Sequence, residues 1–325
     1  MFQPPESPSA VWRPLRLGDA PALAGLTMRI HEAEGLHDLP GPDLIRWFLG
    51  LPSIDLAHDT VGGFAPDGSA IADAEVMIRG GDGGRRAILF VNVDPDHLHL
   101  EAPLLAWAEE RARARLADAP RGAERDIRVI AEEHRDRWRR VVEEAGFGEA
   151  RHFVTMRMPL SAPVPTPQPV AEDISIVPWS DDLDRGAWTV SNASFADHWG
   201  SAEHTWEEWR ASYADDSDAF LPDHSFLAVA GGDVVAICLC ENDPEEIDRT
   251  GVREFYVGRV GTVPPWRRRG LGTALILHSL AAATRDGYER AALSVDEDSQ
   301  TNATAIYERI GFRVTEREIH YLKPG

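Results

Sequence analysis

The sequence predicts an α/β (α+β) protein built as two tandem domains. Three observations lead there. Its 325 residues exceed the roughly 100–200 of one ordinary domain. A proline-rich stretch, residues 161–171 (SAPVPTPQPVA), divides the chain near its middle; that composition favours extended polyproline over helix or central strand. The segments on either side repeat one order of strands and helices at a period of about 150 residues, which marks a duplication rather than a solenoid. The expected domains are therefore 1–160 and 172–325, with 161–171 as linker.

The elements match one by one. Each half opens with a short strand and a proline, VWRPLRL from Val11 and ISIVPWS from Ile174. A Trp-bearing helix follows, PDLIRWFLG from Pro42 and EHTWEEWRASY from Glu203. Then come two strands around a Gly/Asp turn, FAPDGSAIADAEVMI and FLAVAGGDVVAICLC. The next strand ends in proline, ILFVNVDP and YVGRVGTVP, and runs into a long helix, LLAWAEERARARLA and GTALILHSLAAATRD. A strand, a helix ending in Gly-Phe and a last strand close each half. This order calls for a mixed sheet with helices on its faces.

Acidic residues outnumber basic ones, 54 to 33, for a net charge of −21. A surface this negative repels phosphate, so nucleic acid and anionic membrane are not expected partners. No run approaches the ~20 apolar residues of a membrane span, and MFQPPESPSA has neither the charged start nor the apolar core of a signal peptide. The expectation is a soluble cytoplasmic protein. Cys238 and Cys240 share one face of a strand, too near in sequence for a relaxed disulfide. They read as buried thiols and offer too few ligands for a metal site.

The sharpest motif is VGTVPPWRRRGLGTA, residues 260–274. An apolar strand enters a turn, then Arg267-x-x-Gly270-x-Gly272, then a helix. Glycines let backbone approach a ligand. The first N–H groups of a helix have no intrahelical partner and carry the positive end of its dipole, so the segment can cradle phosphate. Arg267, Arg268 and Arg269 add local positive charge. A Gly-Lys-Ser/Thr loop is absent, as is GxGxxG, which disfavours Walker-type ATP sites and dinucleotide enzymes.

RRRGLGTAL resembles the signature of the GNAT superfamily of acyl-CoA-dependent N-acyltransferases. A second block supports it: LSVDEDSQTNATAIYERIGF, with Ala303, Tyr307, Gly311 and Phe312 spaced as in the family's closing pattern. Gln300 stands where an Asn is usual, and Asn302 is the candidate substitute. The resemblance covers residues 174–325, about half of the chain, and is to the tandem-domain, mycothiol synthase-like branch.

The resemblance implies two GNAT-type domains, each a mixed, mostly antiparallel sheet with a splayed centre and flanking helices. It implies acetyl-CoA as cosubstrate and no metal. Backbone at Val260, Gly261 and Thr262 would hold the thioester and pantetheine arm. The N–H groups of Arg267, Arg268, Arg269, Gly270, Leu271, Gly272 and Thr273 would hold the pyrophosphate. Tyr307 would protonate the leaving thiolate. The amine needs a base. Glu254 is chosen because its strand parity matches Tyr256, Gly258 and Val260; Glu241 and Asp243 are the alternatives. The loop SNASFADHWGSAEHTW places Asp197, His198 and Trp199 as acceptor contacts, with His204 and Trp206 nearby.

The first half keeps the pattern without the chemistry. Leu98 falls at the arginine position, Glu101 and Pro103 at the glycines, and Val142 at the tyrosine. It reads as a degenerate copy; His97 and His99 suggest no metal site. The expected function is acetyl transfer to the amine of a small molecule by direct attack in a ternary complex, performed by the second half of a monomer or homodimer. The alternative is a non-catalytic acyl-CoA-binding or interaction protein.

Overall fold

A computed structural model of the chain describes residues 10–35, 40–81, 84–118, 124–161, 164–167, 169–196, 198–199, 203–213, 219–298 and 303–325. In order the elements are β1 (Val11–Arg13), α1 (Ala20–Glu34), α2 (Pro42–Leu49), α3 (Leu56–Asp59), β2 (Thr60–Phe64), β3 (Ala70–Gly81), β4 (Gly84–Val93), α4 (Glu101–Ala117), β5 (Glu124–Glu132), α5 (Asp136–Glu144) and β6 (Gly148–Pro159). They continue with β7 (Ile174–Pro178), α6 (Asp184–Phe195), α7 (Trp206–Tyr213), β8 (Phe226–Ala230), β9 (Asp233–Glu241), α8 (Pro244–Thr250), β10 (Glu254–Thr262), α9 (Leu271–Arg285), β11 (Arg290–Asp296), α10 (Ala303–Ile310) and β12 (Arg313–Pro324).

Two compact units form: Met1–His152 with Arg317–Gly325, and Phe153–Glu316. This division differs from the one expected from the proline stretch. Residues 153–159 of β6 pair with β11, and residues 318–324 of β12 pair with β5. Each unit thus takes one strand from the opposite half of the chain. Both strands, HFVTMRM and EIHYLKP, alternate polar and apolar residues alike, so periodicity could not assign them to a sheet. The proline stretch is not a free spacer either, since Val164 and Val170 pack on the core of the second unit.

In the first unit the strand order is β1-β2-β3-β4-β5-β12. Among the described residues the pairings there are antiparallel except β4–β5, which holds from Gly84↔Glu124 to Leu89↔Val129 and then parts. One face is covered by α4, whose Leu104, Leu105, Ala108 and Ala112 recur at helical spacing and are buried on Val76, Leu89 and Ile127. The other face packs Leu23, Leu26 and Ile30 of α1 with Leu49 of α2. The helix start that parallels the phosphate motif is occupied by the unit's own side chains: Asp94 accepts the Asp96 N–H, and buried Glu101 pairs with Arg137 at 2.9 Å.

In the second unit the order is β7-β8-β9-β10-β11-β6, again antiparallel except for β10–β11. Leu271, Leu275, Leu277 and Leu280 of α9 are buried against Ala236, Cys238 and Cys240 of β9 and Phe255 and Val257 of β10. The opposite face of β9, Ile237 and Leu239, packs against Ala187 and Val190 of α6 and Trp209 of α7. Buried Asp184 ties those two helices together, accepting from Trp209 Nε1 at 2.6 Å and pairing with Arg210 at 3.0 Å. Mixed, mostly antiparallel sheets with a parting central pair are the fold the sequence led us to expect. Among the described residues, no helix is long and apolar enough to cross a membrane.

Candidate functional site

The site in the second unit begins where its sheet opens. β10 pairs with β11 only from Glu254↔Arg290 to Tyr256↔Ala292. β10 then continues beside β9 as far as Thr262, while β11 turns to β6 as far as Asp296. Past Tyr256 the inner edges of both strands face a gap, and strand-edge N–H and C=O groups are ready to pair with an extended ligand. Val260, Gly261 and Thr262, expected to hold the thioester arm, lie on that edge. Val260 packs on the α9 side. A Cβ on Gly261 would stand 2.9 Å from Ser194 of α6, so only glycine lets that helix come so close.

The strand leads into the cradle through Pro264 and Pro265. Arg268 has φ 64°, rare for a residue with a side chain, and Gly270 has φ 77°. Left-handed residues just ahead of a helix turn successive N–H groups to one side. The first α9 bond runs from the Ala274 N–H to the Gly270 carbonyl at 3.0 Å. The Leu271, Gly272 and Thr273 N–H groups precede it and have no intrahelical partner. A Cβ on Gly270 would have no neighbour within 4 Å, so the space beside it is open. The arginines differ from one another. Arg267 is turned inward, donating to the Thr262 carbonyl at 3.2 Å and the Ser194 carbonyl at 3.1 Å. Arg269 stacks on Trp266 at 4.4 Å, and Arg268 is exposed.

Tyr307 of α10 packs against the α9-side core, with its ring 6.2 Å from Phe312. Burial, reinforced by nearby Cys238, pushes its hydroxyl up to about 12, so it stays protonated at neutral pH. Cys238 and Cys240 are buried with their sulfurs 3.8 Å apart, and burial raises the Cys240 thiol. Among the described residues no His, Cys, Asp and Glu group is arranged to hold a metal ion.

The parity argument for Glu254 does not survive. A bulge between Val257 and Arg259 puts Gly258 out of register. Val257 and Val260 therefore share the α9 face, while Glu254 stands on the other with Tyr256 and Glu241, so what separates the two carboxylates is their partners and not their face. Its carboxylate is held by Arg157 at 3.1 Å and by Arg290. Asp243 caps α8, accepting the Glu246 N–H at 3.1 Å. Glu241 is placed differently. It ends β9 opposite Tyr256, where the sheet parts, and its Oε1 would lie 2.6 Å from a Cβ on Gly258. Burial raises its carboxyl above the usual range, and no cation offsets that.

Of the acceptor residues, His198 and Trp199 follow the C-terminus of α6. The His198 ring lies 5.5 Å from Phe195, and Trp199 lies 6.3 Å from Phe153 of β6. His204 anchors this loop through its backbone to Asn192 and Trp188, and Trp206 packs edge-on against Trp188 at 5.8 Å. Asp197, Asn302 and Gln300 lie outside the described residues. Sequence reasoning missed Arg259, whose guanidinium lies 4.2 Å over the Phe195 ring. The signal was a single arginine inside the apolar strand YVGRVGT.

The second unit is thus an α/β layer in which a parted parallel pair leads into a glycine-opened helix start. Residues 192–312 match the acetyltransferase (GNAT) family. It is 34% identical over 172 residues to a mycothiol acetyltransferase of Thermobispora bispora, covering 52% of this chain and 56% of that protein. A mycothiol acetyltransferase of Nocardiopsis dassonvillei is 32% identical over 57% of this chain and 61% of its own length. The matches thus span little more than half of these relatives. A GCN5-related N-acetyltransferase of Sphaerobacter thermophilus superposes with a TM-score of 0.78 at 28% identity, over 97% of this chain and 95% of that one. A tandem GNAT protein from the clavulanic acid biosynthesis pathway shares the fold, with a TM-score of 0.70 at 14% identity.

Proposed function

We propose that the protein is a cytoplasmic acetyl-CoA-dependent N-acetyltransferase acting on the amine of a small molecule, with its active site in the second unit. The observation that carries this reading is the gap between β10 and β11 leading into the open start of α9. Acetyl-CoA would supply the activated acyl carbon and a thiolate leaving group. Backbone at Val260, Gly261 and Thr262 pairs with its extended arm, and the N–H groups from Arg267 to Thr273 receive its pyrophosphate. Glu241 takes the amine proton: a desolvated carboxylate of raised pKa is a stronger base than an exposed one. Strand-edge N–H groups stabilise the oxyanion that develops on the carbonyl. Tyr307 keeps its proton until the thiolate departs. Attack is direct, with amine and acetyl-CoA bound together. His198 and Trp199 flank the acceptor, as does Asp197.

The structural neighbour named a GCN5-related N-acetyltransferase supports an amine acceptor. The test is release of CoA from acetyl-CoA in the presence of a panel of primary amines. Amine-dependent release supports the reading. Tight CoA binding with no release for any amine would leave a non-catalytic acyl-CoA-binding protein.

A further inference from the structure

Among the described residues Arg259 is a cation without an anion. In this strongly acidic chain several enclosed arginines find carboxylates: Arg29 has Asp94, Arg111 has Asp59, Arg135 has Glu132 and Arg157 has Glu254. Arg259 is half-buried, and among the described residues no carboxylate comes within ion-pair distance of it. Its Nε is buried and has no hydrogen-bond partner. One contact steadies the group from above, the Phe195 ring at 4.2 Å. Withdrawing a guanidinium from water without a counter-charge costs free energy. A chain with 54 carboxylates could readily have supplied one.

The surroundings of Arg259 belong to the acceptor side. The bulge at Gly258 turns Arg259 to the α6 face, opposite Val260 and the α9 core. Glu241 lies on that same face, at the point where β10 leaves β11. Ser191 and Ser194 of α6 also carry buried hydroxyls without partners, and Gly261 packs directly under Ser194. Phe195, which holds the guanidinium, also touches His198. One face thus gathers a base, an unpaired planar cation and two unsatisfied hydroxyls.

We infer that the acceptor carries an anionic oxygen group, carboxylate or phosphate, beside its amine, and that Arg259 receives that group. This rests on the transferase reading above and names the class of its substrate. The guanidinium fork matches two oxygens of either anion. Phe195 fixes the plane of the fork. The amine is left facing Glu241.

The experiment uses matched pairs: each proteinogenic amino acid against its carboxamide, and glucosamine 6-phosphate against glucosamine. The full chain is assayed for kcat/KM with acetyl-CoA and, by calorimetry, for affinity in the presence of CoA. The account expects the anionic member of at least one pair to be preferred about tenfold or more, a scale set by one charge-assisted contact. Which pair responds tells carboxylate from phosphate. Arg259→Met should abolish the preference while CoA affinity stays; Arg259→Lys should restore part of it. No preference in any pair, or a loss in Arg259→Met shared by both members, overturns the inference. If anionic ligands bind preferentially but no amine is acetylated, the transferase reading fails and the anion site stands. If uncharged amines are turned over as well as anionic ones, the reverse holds.

Discussion

The Glu241 carboxylate lies over Gly258, so close that a Cβ there would stand 2.6 Å from Oε1. The contact joins the end of β9 to the bulge of β10 at the point where the sheet opens. It explains why the bulge carries glycine, and it makes the position of the carboxylate depend on a residue that does no chemistry. Gly258→Ala should push the flexible carboxylate aside. We expect kcat to fall at least tenfold while thermal stability and CoA affinity stay near those of the parent. An unchanged kcat would separate Glu241 from the reaction.

Glu241→Gln keeps the shape and removes the basicity. General-base catalysis contributes about 10²–10⁴-fold, and the loss should fall in that range. The carboxyl is raised by burial, so the parent's rate should decline on the acid side at a pH above that of an ordinary glutamate. The variant should lack that limb. Glu254→Gln should behave differently: removing the charge leaves Arg157 and Arg290 short of a counter-ion, so stability falls while the acid limb remains. A pH–rate profile for both variants decides between them.

Tyr307→Phe should lower kcat by about 10²–10⁴-fold with little change in the affinity for acetyl-CoA, because a general acid acts in the transition state. Since burial holds the hydroxyl up to about 12, its ionisation should produce no alkaline fall in rate below about pH 10. Measured kcat equal to that of the parent would leave Tyr307 a packing residue.

The first unit buries two neighbouring carboxyls, Asp73 and Glu75 of β3, each 3% exposed. Burial raises Asp73 to about 6 and Glu75 well above its ordinary value. A folded-state pKa above the unfolded one means the native state holds more protons between them. The contribution to stability is full below about pH 4 and is lost as pH rises through 6. Asp73→Asn removes the Asp73 part of that loss. Its stability relative to the parent should climb by about 1.4 kcal/mol per unit from pH 4 to 6. Denaturant midpoints at several pH values check this; a constant difference would contradict it.

Much of this was legible in the chain. Repeated element order gave the duplicated fold, and Arg267-x-x-Gly270-x-Gly272 located the cradle because glycine at a helix start has few other uses. Tyr307 could be placed from its spacing to Gly311 and Phe312. The facing of Val260 relative to Glu254 could not, because the one-residue bulge after Val257 reverses every later side chain in the strand, with Gly258 its one local sign. Arg259 was hidden for the same reason. The strands traded between units escaped notice because pairing across long sequence separations leaves no local mark.

The most direct test of the central claim is a calorimetric titration of acetyl-CoA into the intact chain. The account predicts one site per chain, weakened at least tenfold by Gly272→Asp, which sets a carboxylate at the open start of α9. Arg285→Ala, an exposed residue at the far end of α9, should change the affinity much less. Two equivalent sites, or affinity indifferent to a carboxylate at position 272, would contradict it.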